Sequence, residues 1–557
     1  LSILSGRMVL TAEGASEPLV RADNMRLDVA LWPLLSHQLS VKQVMLKGAV
    51  IQLTPQTEAV RGEDAPIAPK DNTLPDVAED RGWSFDIARL RVADSVLVFQ
   101  HEDDEQITVR DIHLEMEQDT QHRGTFDFSG RVNRDQRDLA LAFNGSVDAS
   151  DYPHNLAANI EKLSWQLQGA DLPQQGIQGQ GKLQVQWQEE NKQLAFNQIA
   201  LTANDSTLSG QARVSLSDKP DWGVDLRFGL LNLDNLLVQR DAAAATSGEV
   251  QQGQSQSTLV RPVIASQVDA VSYQGLRGFS ADIALQADKV LWRKMAFDNV
   301  SAKMANQSGL LSITELQGTS EGGLISLPGK LDARKGQPHA VFHPRLENVE
   351  IGTILKAFNY PIALTGKLSL AGDFSGSDID AQAFRHSWQG QAHVDMSDTR
   401  MEGMNFQQLV QQAVERSGGD VKSQQSLDNV TRLDRFVTEL SLDNGKVSLD
   451  EMEGLSSMLA LSGKGTLDLV EQTCDTQFNV RVLGGWDGES KLIDFLKATP
   501  VPLRIYGPWQ ALNYNLQVDQ LLRKHVQDEA KRRLNDWADR NKESRSGKDV
   551  KKLLDKL

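Results

Sequence analysis

The sequence holds one cysteine, Cys474, in 557 residues. That excludes an internal disulfide framework and any thiolate-bound metal cluster, and fits an oxidising or a reducing compartment equally. Basic residues are outnumbered, 58 Lys and Arg against 75 Asp and Glu, for a net charge of −17. With no surplus to neutralise phosphates, nucleic acid is not an expected partner. No uninterrupted apolar run approaches the ~20 residues of a membrane helix. The first residues, Leu-Ser-Ile-Leu-Ser-Gly, lack an initiator Met and a charged-then-apolar targeting stretch, so the natural N-terminus is expected upstream. Catalytic signatures are missing too: no Gly-rich phosphate loop with Lys-Ser/Thr, no His-Glu-x-x-His and no Gly-x-Ser-x-Gly elbow. The ten histidines are scattered, and Cys474 lies beside Asp475 with no cationic motif nearby. The acidic run 101–105 sits between two apolar alternating segments and matches no EF-hand spacing, so it reads as a solvated hairpin tip. The expectation is a protein that is not an enzyme and takes no cofactor or metal.

What the sequence does contain is period-two alternation in short runs, the pattern of antiparallel strands with one apolar and one wet face. Ile112, Leu114 and Met116 alternate with polar residues, as do Phe126 and Phe128, Leu163 to Leu167, Leu183 to Trp187, Val224 to Phe228 and Leu512 to Val518. Asn144-Gly145 and Asn444-Gly445 lie between alternating segments and predict tight hairpin turns. A sandwich or barrel explains the same hairpins. Weak repetition points instead to a stack of like units: 301–333 aligns with 437–469, with Leu311/Val447, Gly318/Gly454, Gly329/Gly465 and Leu331/Leu467 in register, and 195–217 is a shorter third copy.

Two stretches interrupt the pattern. Residues 55–82, rich in Pro, Asp, Glu and Ala, read as a mobile loop, and 239–261 as a low-complexity linker. The predicted organisation is a first β half over 1–238, a linker and lead-in over 239–280, a second β half over 281–483, and terminal strands with an amphipathic cap helix over 484–557. Helical periodicity appears at 351–357, 406–414, 491–497 and 518–540, and the tail from 548 reads as frayed. In the last helix Leu521, Leu522, His525, Val526, Ala530, Leu534 and Trp537 are expected on one face.

The segment 346–376, LENVEIGTILKAFNYPIALTGKLSLAGDFSG, resembles the short helix, proline and LTG-x-L-x-L-x-G strand of the AsmA family. Segments 395–416 and 484–509, the latter GGWDGESKLIDFLKATPVPLRIYGPW, follow in the family's order, and the resemblance runs over essentially the whole chain. It implies a U-shaped, repeating antiparallel β-groove like that of chorein-type bridge proteins. It further implies a periplasmic location, an inner-membrane anchor through an N-terminal helix outside this chain, and conduction of phospholipid between inner and outer membrane.

Composition suits that implication, since the apolar positions are mostly small aliphatics and aromatics make up 6%. Acyl chains filling such a trough gain roughly 0.8 kcal/mol per buried CH₂. The candidate groove residues are Ile112, Leu114, Met116, Leu183, Val185, Leu201, Val214, Leu216, Ile313, Ile325, Leu327, Val447, Leu449, Leu459 and Leu461; the same positions also suit a closed core. Arg523, Lys524, Lys531, Arg532 and Arg533 are candidates for contact with anionic head groups, or form a solvated helix face. Phospholipid and membranes are thus the expected partners. The second reading is a scaffold acting on outer-membrane protein insertion through an envelope protein partner. A polysaccharide-binding solenoid would need an aromatic ladder, and ten Trp are spread too thinly for one.

Overall fold

The computed structural model describes residues 2–30, 38–57, 84–100, 106–134, 136–238, 273–417, 421–423, 427–488, 490–516 and 518–556. The acidic run 101–105, nearly all of the 55–82 stretch and the linker up to 272 therefore lie outside the described residues. The fold is mainly β, with 33 described strands and a few short helices. The chain divides into two units, one comprising Leu1–Gln239 with Gly278–Ser308, the other Arg240–Arg277 with Gly309–Leu557. Residues 281–308, placed in the second half by the sequence, pack with the first unit, because Ser280–Trp292 pairs alongside Asp221–Asn232.

In the first unit each strand from Arg89–Phe99 to Asp221–Asn232 pairs antiparallel with the next. The expected antiparallel sheet is present but mixed, with parallel pairings at two places. Asp221–Asn232 runs parallel to Ser280–Trp292, and Gln38–Lys47 and Val50–Leu53 run parallel to Arg89–Phe99. Parallel partners need a connection of a dozen or more residues, and the two interrupting stretches supply that length. In the second unit the strands Leu364–Gly376, Gln389–Glu402, Val430–Asp443, Lys446–Leu455, Leu459–Asp468, Thr473–Val482, Val501–Pro508 and Asn513–Leu516 follow one another antiparallel.

The aligned repeat is reproduced as pairing. Leu311 faces Leu331 as Val447 faces Leu467, and Gly318 faces Ile325 as Gly454 faces Leu461. The first copy differs in having its return strand split into Gly323–Ser326 and Gly329–Asp332, around Pro328, which has no N–H to give a ladder. Asn444-Gly445 forms a turn with both φ positive, as anticipated. Asn144-Gly145 does not: both lie inside the strand Arg137–Asp148, at a register shift. A Cβ at Gly145 would sit 1.9 Å from the Asn159 carbonyl oxygen, so glycine serves close strand approach there rather than a turn.

Strict alternation breaks at a recurring device. Asp94, Asp111, Gln198, Asn348, Asp398 and Glu451 all sit inside strands with φ between 47° and 53°, each at a shift of register. These are β-bulges, which add one residue and curl the sheet. Each puts residues three apart on the same face: Phe196 and Ile199 face Ala212 and Gly210, and Leu449 and Met452 face Gly465 and Gly463. The local sequence is an apolar residue, any residue, then Asp, Asn, Gln or Glu in the left-handed conformation.

The helices are α1 (Leu233–Leu236), α2 (Ile351–Ala357), α3 (Ala381–His386), α4 (Phe406–Arg416), α5 (Ser490–Ala498), α6 (Asp519–Arg540) and α7 (Arg545–Leu554). The Glu350 carboxylate accepts from Gly352 N at 3.1 Å to start α2, and Asn405 Oδ1 accepts from Gln408 N at 3.1 Å to start α4. α4 buries Val410 and Val414 in the main core of the second unit, with Val480, Val482 and Leu503 of the strands. The tail is not frayed: α7 is capped by Ser544, joined to α6 by Lys551 and Asp539 at 2.9 Å, and has Leu554 buried.

Candidate apolar face and pocket

In the first unit, cross-strand pairing assembles apolar side chains into rows running from strand to strand. Val185, Phe196, Ala212, Val224, Ile283 and Met304 form one row of directly opposed residues. Trp187, Leu194, Val214, Trp222 and Ala281 form a second beside it, and Leu201, Leu208, Phe228, Ala287 and Val300 a third. Every member of the first row is only half-buried. The three clusters of buried hydrophobics among the described residues all belong to the second unit. Among the described residues no cluster of that kind packs on the first row, although Val214 and Ala281 of the second row and Ala287 of the third are buried.

The opposite face carries ion pairs laid across strands: Arg89 with Glu117 at 3.0 Å, Arg91 with Glu115 at 3.3 Å and Arg227 with Asp288 at 3.0 Å. In the second unit Arg435 pairs with Asp395 and Arg504 with Asp475, each at 3.0 Å. The bond from Arg504 holds the Asp475 carboxyl below its ordinary range. These pairs are about half exposed and add little stability; their value is in fixing which face meets water.

The structure brings some of the sequence candidates together and separates others. Leu183, Val185, Leu201 and Val214 lie on the apolar face of neighbouring strands. Ile112, Leu114 and Met116 face Ser95, Val92 and Leu90, with Met116 exposed. Leu216 and Leu327 fall just past the ends of their strands, and Leu216 is exposed. Ile313 and Ile325 face Gly329 and Gly318. Val447 packs in a closed cluster with Leu442 and Phe374, and Leu459 in the main core, while Leu461 belongs to that core and to the pocket described next. On α6, Arg532 and Arg533 are both bound to Glu529, at 2.7 and 3.5 Å, and Arg523, Lys524 and Lys531 are exposed. The apolar face expected on α6 is buried only at its start. Leu521 and Leu522 pack on the core and His525 stacks on Phe495 at 4.1 Å, but Val526, Leu534 and Trp537 are exposed.

Sequence reasoning missed a strongly apolar hollow. A pocket of about 500 Å³ in the second unit lies against the apolar side of its sheet, with Met396, Met401, Leu433, Phe436, Leu449, Met452, Leu461 and Phe478 on its wall. Pro361 and Ile362, just after α2, and Trp509 and Leu512 also line it, as do the polar Glu402 and Gln510. Cys474 also lines it, its thiol pushed up by burial and then by the Asp475 charge. Of the polar residues there, Thr431 donates to Met404 O at 2.6 Å and Thr476 to Ile505 O at 3.1 Å. Thr399 Oγ1 and Trp509 Nε1 are buried with no hydrogen-bond partner. Met396 and Thr399 both reach the pocket because the bulge at Asp398 lies between them.

No described helix is long and apolar enough to cross a membrane. No solved structure matches the chain. The family model described as AsmA family matches residues 125–452. Protein AsmA of Escherichia coli (strain K12) is 73% identical over 557 residues, which is all of this chain and 90% of that protein. With the match covering the bulged strands of both units as well as the apolar rows, the chain belongs to the AsmA family, a family of envelope proteins.

Proposed function

We propose that this chain is the periplasmic part of a protein anchored in the inner membrane by an N-terminal helix, and that it binds phospholipid and conducts it between inner and outer membrane, contributing to outer-membrane biogenesis. The observation that carries this reading is the half-buried row Val185, Phe196, Ala212, Val224, Ile283 and Met304, apolar on every strand it crosses. A sheet with ion pairs on one face and uncovered aliphatics on the other gains roughly 0.8 kcal/mol for each methylene an acyl chain lays on it, while the lipid head stays in water. No covalent step is called for. A scaffold role in outer-membrane protein insertion is the second reading, favoured by the exposed Val526, Leu534 and Trp537 on α6.

The test is native mass spectrometry with lipid extraction on the gently purified chain and on a Val185→Asp, Phe196→Asp, Val224→Asp variant whose circular dichroism shows an intact sheet. Phospholipid bound to the parent and lost from the variant is the expected result. A parent that stays lipid-free after incubation with phosphatidylethanolamine vesicles would leave the scaffold reading in its place.

A further inference from the structure

We infer that the pocket of the second unit is a terminal seat for a single acyl chain linked through an ester, whose oxygen is taken up by Trp509 and Thr399. The inference rests on the acyl-binding reading of the sheet and adds to it a defined stop with its own chemistry. Size limits the occupant. A methylene fills about the volume of one liquid water, roughly 30 Å³, so about 500 Å³ has room for on the order of 16 methylenes, the length of one acyl chain.

Polarity then selects the kind of chain. Thr399 and Trp509 are each 7% exposed, and neither Thr399 Oγ1 nor Trp509 Nε1 has a partner, although both residues line the pocket. Buried polar groups are nearly always hydrogen-bonded, so these two atoms are met by something the chain itself does not provide, water or a bound molecule. An indole N–H only donates, so the missing partner is an acceptor; a hydroxyl donates as readily. An ester oxygen meets both without a charge. A carboxylate meets them too, but is costly to bury where no cationic side chain lines the wall. Thr399 stands where the bulge at Asp398 gives the pocket a side chain that could have been apolar, as Met396 and Met401 beside it are.

Cys474 gives a reporter on the wall that no other thiol obscures. Its alkylation by N-ethylmaleimide is followed by mass spectrometry on the full chain with monohexadecanoylglycerol, hexadecanoic acid or hexadecane added. The ester is expected to slow alkylation more than the acid or the alkane does. Thr399→Val and Trp509→Phe should each raise the ester concentration needed by on the order of fivefold, the value of one hydrogen bond, while Thr399→Val leaves the urea midpoint of the empty chain unchanged or higher. The inference is overturned by an unchanged rate with the ester, by equal protection from hexadecane, by stronger protection from the acid, or by variants that need no more ester than the parent. Lipid co-purification with the first unit does not depend on Cys474: phospholipid retained without Cys474 protection sinks this inference alone, and loss of both sinks the wider reading.

Discussion

At the residue scale, Tyr273 packs against the cluster of Leu331, Phe374 and Trp388 in the second unit and is held there by two hydrogen bonds. Tyr273 donates its hydroxyl to Asp378 Oδ1 at 2.7 Å and accepts from Ile379 N at 3.3 Å. Burial, and after it the bond to Asp378, push the phenol up to about 12. The folded chain therefore holds this proton more tightly than the unfolded chain, where the phenol titrates near ~10. The stabilisation is complete below about pH 10 and is lost as pH rises toward about 12. The urea midpoint of the second unit should fall across that window, and Tyr273→Phe should flatten the fall; matching slopes would remove Tyr273 from the account. Single residues were the least legible part of the site. Leu183, Val185, Leu201 and Val214 could be found from alternation, because each lies within a paired strand. Leu216 and Leu327 could not be told from them, since alternation does not mark where pairing stops. Thr399 and Trp509 gave no signal at all: a hydroxyl in a run of alternating residues reads as the wet face, and only the extra residue at Asp398 turns it inward.

At the element scale the bulges decide the faces. A one-residue slip exchanges the faces of a strand, and each bulge makes that exchange on purpose, so alternation read straight through it assigns half the strand wrongly. The motif was nonetheless written in the chain, as Val109-Arg110-Asp111-Ile112, Phe196-Asn197-Gln198-Ile199, Leu346-Glu347-Asn348-Val349 and Leu449-Asp450-Glu451-Met452. A left-handed backbone costs a side chain roughly 1–2 kcal/mol, less for Asn and Asp and nothing for Gly. Asn348→Val should therefore lower stability by about 1–2 kcal/mol while Asn348→Gly stays close to the parent, as read from urea midpoints. Equal losses in both would mean that the Asn348 side chain, and not its backbone conformation, is what matters. Helices were easier: α2, α4, α5 and α6 begin and end near their predicted limits because capping residues and apolar spacing are local. α7 escaped notice because its anchor, the Lys551 to Asp539 pair against α6, is tertiary.

At the scale of the whole molecule, the two units differ in how their apolar surface is satisfied. The second buries it in packed clusters, one under α4 and α5 and one beside α3; the first leaves the row from Val185 to Met304 half-buried. Hydrogen exchange in rising urea should show peptides from 107–232 losing protection before those from 389–516, and phospholipid vesicles should raise the midpoint of the first set alone. A common midpoint unaffected by lipid would count against the open face. The mixed sheet was hidden from sequence for a related reason: parallel partners such as Asp221–Asn232 and Ser280–Trp292 are joined across a stretch whose composition says nothing of pairing. The rows carry one more implication. Neighbouring strands are about 4.8 Å apart, so an alkyl tail lying along a row meets a like side chain at every step, with no bulky gatekeeper between Phe196 and Met304. On the proposed phospholipid-conducting reading, such a surface would behave as a finely corrugated rail: each advance would trade one or two methylene contacts for equivalent ones, and cargo would spread along it by short thermal hops, down whatever gradient its ends impose.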